Sequence, residues 1–106
     1  MSDSAIVVLC TVPSEEVAER IARALLDARC VACVNIVPAV RSLYRWDGAL
    51  EDVRELQLLI KTRDARYADV ERVIRAAHPC EVPEILALPI VHGSADYLAW
   101  IAAETA

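Results

Sequence analysis

The residues best suited to chemistry in this 106-residue chain are its four cysteines and two histidines. Thiolate and imidazole are the ligands that copper and zinc prefer, so Cys10, His78 and Cys80 would make a sensible metal site if the fold brought them together. The alternative is that Cys10 and Cys80 are small buried hydrophobes, and that His78 is a helix-terminal residue favoured by the dipole. Cys30-Val31-Ala32-Cys33 has the spacing of a redox pair or of half a zinc knuckle. No second ligand pair accompanies it at short spacing, and strand alternation would point its two sulfurs to opposite faces, so a packing role is expected. His92, beside Gly93, reads as a solvated loop residue.

A second set interrupts apolar strands. Glu55, Gln57 and Lys61 share one face by the period-two rule, and with Asn35 they could line a polar cleft between subunits, pair to fix register, or face solvent. Ser42, Tyr44 and Trp46 share a face near a hairpin tip, where they could grip a partner subunit or stack on a ligand, packing being the commoner use. Ser14 and Ser94 read as helix caps, no Gly-x-Ser-x-Gly elbow exists, and the carboxylates form no acid/base pair. No catalytic set emerges, and an enzyme is not expected.

The elements that must position these residues follow from periodicity. Residues 5–12 are a β-branched apolar run ended by Pro13, as expected of a central strand buried on both faces. Ser14 caps a helix reaching about Arg29, with Val17, Ala18, Ile21, Ala22, Leu25 and Leu26 at helical spacing. Residues 31–46 and 50–62 form a long hairpin turned at Asp47-Gly48. Asp64 begins a second helix with Tyr67, Val70, Val73, Ile74 and Ala77 in a stripe, ended by His78-Pro79. Residues 82–91 read as a fourth strand, confined by Pro83 and Pro89 to an edge or to bulges. Ser94 opens a last helix carrying Tyr97, Leu98, Trp100 and Ile101.

This order, β-α-β-β-α-β with a C-terminal helix, is the ferredoxin-like α+β arrangement in one domain over residues 1–106, with an antiparallel sheet. Helices cover one face only, yet the first strand is apolar on both, so self-association is expected to cover the other. The topology brings the end of the first strand, the end of the second helix and the start of the fourth strand together. Cys10, His78 and Cys80 should therefore converge, with Cys30 and Cys33 at the opposite end.

Composition excludes several classes. Two glycines cannot build a phosphate-cradling loop. Sixteen acidic against eleven basic groups leave a net charge of −5, which repels nucleic acid and anionic membranes. No apolar stretch is long enough to span a bilayer, and residues 1–4 lack the features of a secretory leader. A soluble, cytoplasmic protein with reduced thiols is expected.

Six blocks carry a resemblance: residues 7–13 (VVLCTVP), 32–38 (ACVNIVP), 42–48 (SLYRWDG), 60–62 (IKT), 78–84 (HPCEVPE) and 97–101 (YLAWI). In order and spacing the chain resembles the CutA family of divalent-cation tolerance proteins over nearly its whole length. The resemblance implies a compact homotrimer similar in architecture to the P-II signalling proteins. It also implies a role in tolerance of divalent metals, copper especially, with binding of copper or another divalent ion that folding does not require. The family's proposed copper ligands map onto Cys10 and His78. A second histidine of some members is Ala77 here, and the family's usual tyrosine after His-Pro is Cys80, a further possible soft ligand. The rival reading is a P-II-like signalling or interaction module that binds a small anionic ligand or a protein in intersubunit clefts lined by Tyr44, Trp46, Glu55 and Lys61.

Overall fold

A computed structural model describes residues 4–106; Met1 to Asp3, read above for a leader, lie outside the described residues. The elements are β1 (Ala5–Val12), α1 (Glu15–Asp27), β2 (Cys33–Trp46), β3 (Ala49–Arg63), α2 (Tyr67–Ala77), β4 (Leu86–Pro89) and α3 (Ala95–Glu104). All neighbours in the sheet are antiparallel in the order β2-β3-β1-β4, so β1 is internal and β4 an edge, as expected.

Alternation along β1 buries Ile6, Val8, Cys10 and Val12 beneath α1 and α2, together with Leu56, Leu58 and Ile60 of β3. Ser14 does cap α1, its hydroxyl accepting from the Val17 N–H at 3.2 Å. That helix stops at Asp27 and Arg29 takes φ +58, a left-handed exit. Leu26 falls off the buried stripe and is exposed.

Three boundaries differ from expectation. Asp64 opens a single 3-10 turn (Asp64–Arg66) instead of capping α2, and its N–H is spent on the Ser4 carbonyl at 2.7 Å. The fourth strand shrinks to four residues, because Pro83 and Pro89 remove ladder donors and the chain before Leu86 serves as a loop. Ser94 precedes α3 without a side-chain cap; Asp96 instead accepts from the Tyr97 N–H at 2.9 Å.

The long hairpin turns at Asp47 (φ 52) and Gly48 (φ 81), the paired positive angles of a type I′ turn. Halfway along, Val37 pairs with Gln57 but Val40 with Glu55, so β2 carries one extra residue. This bulge reverses the parity of β2. Cys33, Asn35 and Val37 before it, and Val40, Ser42, Tyr44 and Trp46 after it, all lie on the face away from α1 and α2, with Glu55, Gln57 and Lys61.

That second face is partly covered within the chain. Arg63 donates to the Thr105 hydroxyl at 2.8 Å, fixing the end of α3 against the start of β1 and the end of β3. The rest stays open, with Val7 and Leu9 half-buried and Leu86 and Leu88 about half exposed at 55% and 49%.

Candidate functional site

β1 ends opposite Leu56, so the outer half of the β2–β3 hairpin overhangs the sheet. Residues 78–85 return from α2 to β4 beneath this overhang. Between the two lies a cleft of about 840 Å³, walled by Tyr44, Trp46 and Glu55 of the hairpin and by His78, Cys80, Glu81 and Glu84 of the loop.

The loop wall is fixed at four points. Arg20 donates to the Ala77 carbonyl at 2.9 Å. Nε2 of His78 lies 2.8 Å from the Thr11 carbonyl, and the Cys80 N–H donates to Nδ1 of the same ring at 3.0 Å. A carbonyl only accepts and an N–H only donates, so the ring is the neutral Nε2–H tautomer, with both nitrogens engaged by backbone. Gln57 then donates to Glu84 at 3.1 Å, tying the far end of the loop to the sheet. Pro79 keeps His78 extended (ψ 132), which turns the chain out of α2 and toward the cleft.

The charge in the cleft is unbalanced. Glu55, Glu81 and Glu84 line it against one cation, Arg41, whose guanidinium is already held in two bonds to Asp52 at 2.8 and 2.7 Å. Among the described residues, Glu55 and Glu81 have no ion-pair partner. Desolvation raises the Tyr44 hydroxyl above its ordinary value, and Glu55, Glu51 and Cys80 push it the same way.

The sequence-derived residues divide accordingly. His78 and Cys80 come together at the cleft with Tyr44, Trp46 and Glu55. Cys10 sits one residue from Thr11 but points into the core, fully buried, its sulfur directed at the Thr11 carbonyl at 3.7 Å. Burial pushes its thiol up to about 12, and Glu84, Cys80 and Glu55 act in the same direction, so at neutral pH it is a protonated packing group. Lys61 does not line this cleft within one chain and donates to the Asn35 amide oxygen; the cleft expected for it lies between subunits. Cys30 is buried with its thiol on the Leu25 carbonyl at 3.6 Å, while Cys33 starts β2 on the opposite face. His92 is exposed.

Sequence reasoning gives Glu81 and Glu84 no role. Their only signal is a position inside the His-Pro-Cys-Glu-Val-Pro-Glu block, because nothing in the sequence says that the loop folds under the hairpin. Among the described residues, no three His, Cys, Asp or Glu side chains are grouped so as to hold a metal ion. Among them, too, no helix is long and apolar enough to cross a membrane.

The family model for the CutA1 divalent ion tolerance protein matches residues 6–104. The divalent-cation tolerance protein CutA of Thermus thermophilus is 50% identical over 99 residues, covering 93% of this chain and 96% of that one. A solved structure of the divalent cation tolerance protein from Thermus thermophilus superposes with a TM-score of 0.93 at 49% identity, covering 96% of this chain and 99% of that one. The periplasmic divalent cation tolerance protein CutA from Archaeoglobus fulgidus gives a TM-score of 0.93 at 36% identity, with coverage of 96% and 99%.

Proposed function

The chain belongs to the CutA1 divalent ion tolerance protein family, and from that premise we propose that it acts in divalent-cation tolerance as a non-enzymatic homotrimer that binds copper or another divalent ion at its cleft. The observation that carries this reading is the chemistry of the cleft lining: an exposed thiol, Cys80, with Glu55, Glu81 and Glu84 at separate points on the walls, and the lining cation Arg41 paired with Asp52. Thiolate and carboxylate together suit a borderline divalent ion such as copper(II) or zinc.

The same reading moves the leading sulfur ligand from Cys10 to Cys80. A thiol raised to about 12 inside an apolar core resists the deprotonation that a metal ligand requires. His78 joins the coordination sphere only by giving up one of its two backbone hydrogen bonds. With no three-donor group among the described residues of one subunit, water or a second copy would complete the sphere.

Assembly is supported by the open sheet face, where apolar residues stand about half exposed. A cytoplasmic location is supported by four free cysteines, which suit a reducing compartment.

Cobalt(II) titration of the reduced, assembled protein tests the site. Binding through a thiolate produces a sulfur-to-cobalt charge-transfer band. The reading expects that band in the unmodified protein and in Cys10→Ala, and its loss in Cys80→Ser. A band that persists in Cys80→Ser, or none at any cobalt concentration, overturns it.

A further inference from the structure

The loop that carries Cys80 hangs from one peptide group, and a side chain of another helix holds that group. α2 ends at Ala77, and the peptide joining Ala77 to His78 is bonded at both ends. Its N–H donates to the Ile74 carbonyl at 2.8 Å, and its carbonyl accepts from Nη2 of Arg20 at 2.9 Å. The last carbonyls of a helix have no partner within it and stand at its negative end, so a guanidinium there supplies both the missing bond and the matching charge. Arg75, the basic residue of the last turn of α2, is bonded instead to Glu71 at 3.0 Å. Arg20 reaches across from the middle of α1, and among the described residues it forms no ion pair. Beyond this peptide, the His78 ring is held between the Thr11 carbonyl and the Cys80 N–H. Both helices lie on the side of the sheet opposite the open face, so the Arg20 bond is made within one chain whatever covers that face.

We infer that Arg20 is the positioning residue of the Cys80 loop: by holding the Ala77 carbonyl it keeps the His78 ring on Thr11 and so sets where the Cys80 sulfur stands. The inference rests on Cys80 as the sulfur ligand proposed above and concerns what presents that ligand. Groups that orient a ligand from outside the coordination sphere tune metal affinity nearly as strongly as the ligands themselves.

Two measurements on the assembled protein test it. In metal-free protein at about pH 8.5, where an ordinary imidazole is neutral, nitrogen NMR of the two histidine rings reads their tautomers, with the exposed His92 as reference. His78 should show a fixed Nε2–H tautomer in the unmodified protein and move toward the averaged state of His92 in Arg20→Ala. Arg20→Lys, which keeps a cationic donor, should restore most of the fixed state. Arg23→Ala, which breaks the pair with Glu19 on the same helix, should leave it unchanged. Cobalt(II) titration should then give the thiolate band at about tenfold weaker affinity in Arg20→Ala, with the other two variants close to the unmodified protein. Arg20 is exposed and alanine is the best helix former, so the truncated variant keeps its fold. A His78 tautomer still fixed in Arg20→Ala, an equal loss in Arg23→Ala, or a loosened His78 with unchanged cobalt affinity overturns the inference. A missing cobalt band in the unmodified protein overturns the Cys80 reading and with it the role given to Arg20, whereas a band with His78 unaffected in Arg20→Ala overturns the role of Arg20 alone.

Discussion

At the scale of single residues, Cys10 and Cys80 stand at the same end of the sheet but behave oppositely, because one side chain faces the core and the other faces solvent. Cys80 is exposed, whereas Cys10 is shut into the core cluster with Val8, Val12 and Leu58. Native protein treated with a limited amount of a thiol-specific aromatic disulfide should therefore react at Cys80 first, with Cys10 and Cys30 protected until unfolding; mass spectrometry of the modified peptides reads the order. The Cys10 shift also has a pH consequence. Its folded value, about 12, lies above the ordinary 9.0, so the folded state holds the proton more tightly than the unfolded chain does. The stabilisation is complete below pH 9.0 and is lost as pH rises from there toward about 12, where the folded thiol ionises as well. Thermal melts across that interval should fall less steeply in Cys10→Ala than in the unmodified protein, although the variant starts from lower stability.

At the scale of elements, the hairpin decides which residues can share a site. Gly48 sits at φ 81 with open space where a β-carbon would stand, so the cost of Gly48→Ala is conformational and not steric. A loss of about 1 kcal/mol is expected in chemical denaturation, with Asp47→Asn close to neutral. The bulge between Val37 and Val40 lets these two residues, three positions apart, share one face, so deleting Ala39 would merge the two registers and leave Tyr44 and Trp46 opposite Glu51 and Ala49 on the face away from α1 and α2. The deletion variant should therefore keep its aromatic face and remain folded by circular dichroism, because β1 and the inner half of β3, which carry the core, lie outside the altered segment. Turn residues and apolar periodicity make the hairpin, its tip and the internal position of β1 legible in the sequence. The bulge is not, since Pro38-Ala39 shows no pattern that distinguishes an extra residue from a strand position. The shortened β4 and the 3-10 turn at Asp64 escape the sequence for a related reason: local propensity favours a longer strand and a capped helix, while the prolines and the Asp64 bond to Ser4 fix the backbone otherwise.

At the scale of the whole molecule, topology brings the ends of β1 and α2 together with the loop into β4, and that juxtaposition is readable from element order alone. Side-chain direction separates Cys10 from the pair at the loop, whereas Lys61 shares the face of the hairpin cluster and is set apart from it by its position at the far end of β3. The open face predicts assembly. Leu88 stands opposite Val7 across β4 and β1, and Leu88→Glu should shift sedimentation from an oligomer toward a monomer, since a charge buried without a partner opposes association. The central claim is that the assembled protein binds a divalent ion at the cleft through Cys80. Calorimetric titration of reduced, size-verified protein with zinc, run beside Cys80→Ser and Cys10→Ala, tests it most directly. Saturation at a fixed stoichiometry, abolished in Cys80→Ser and retained in Cys10→Ala, is the result predicted; no saturable heat, or binding equally strong in Cys80→Ser, would contradict it.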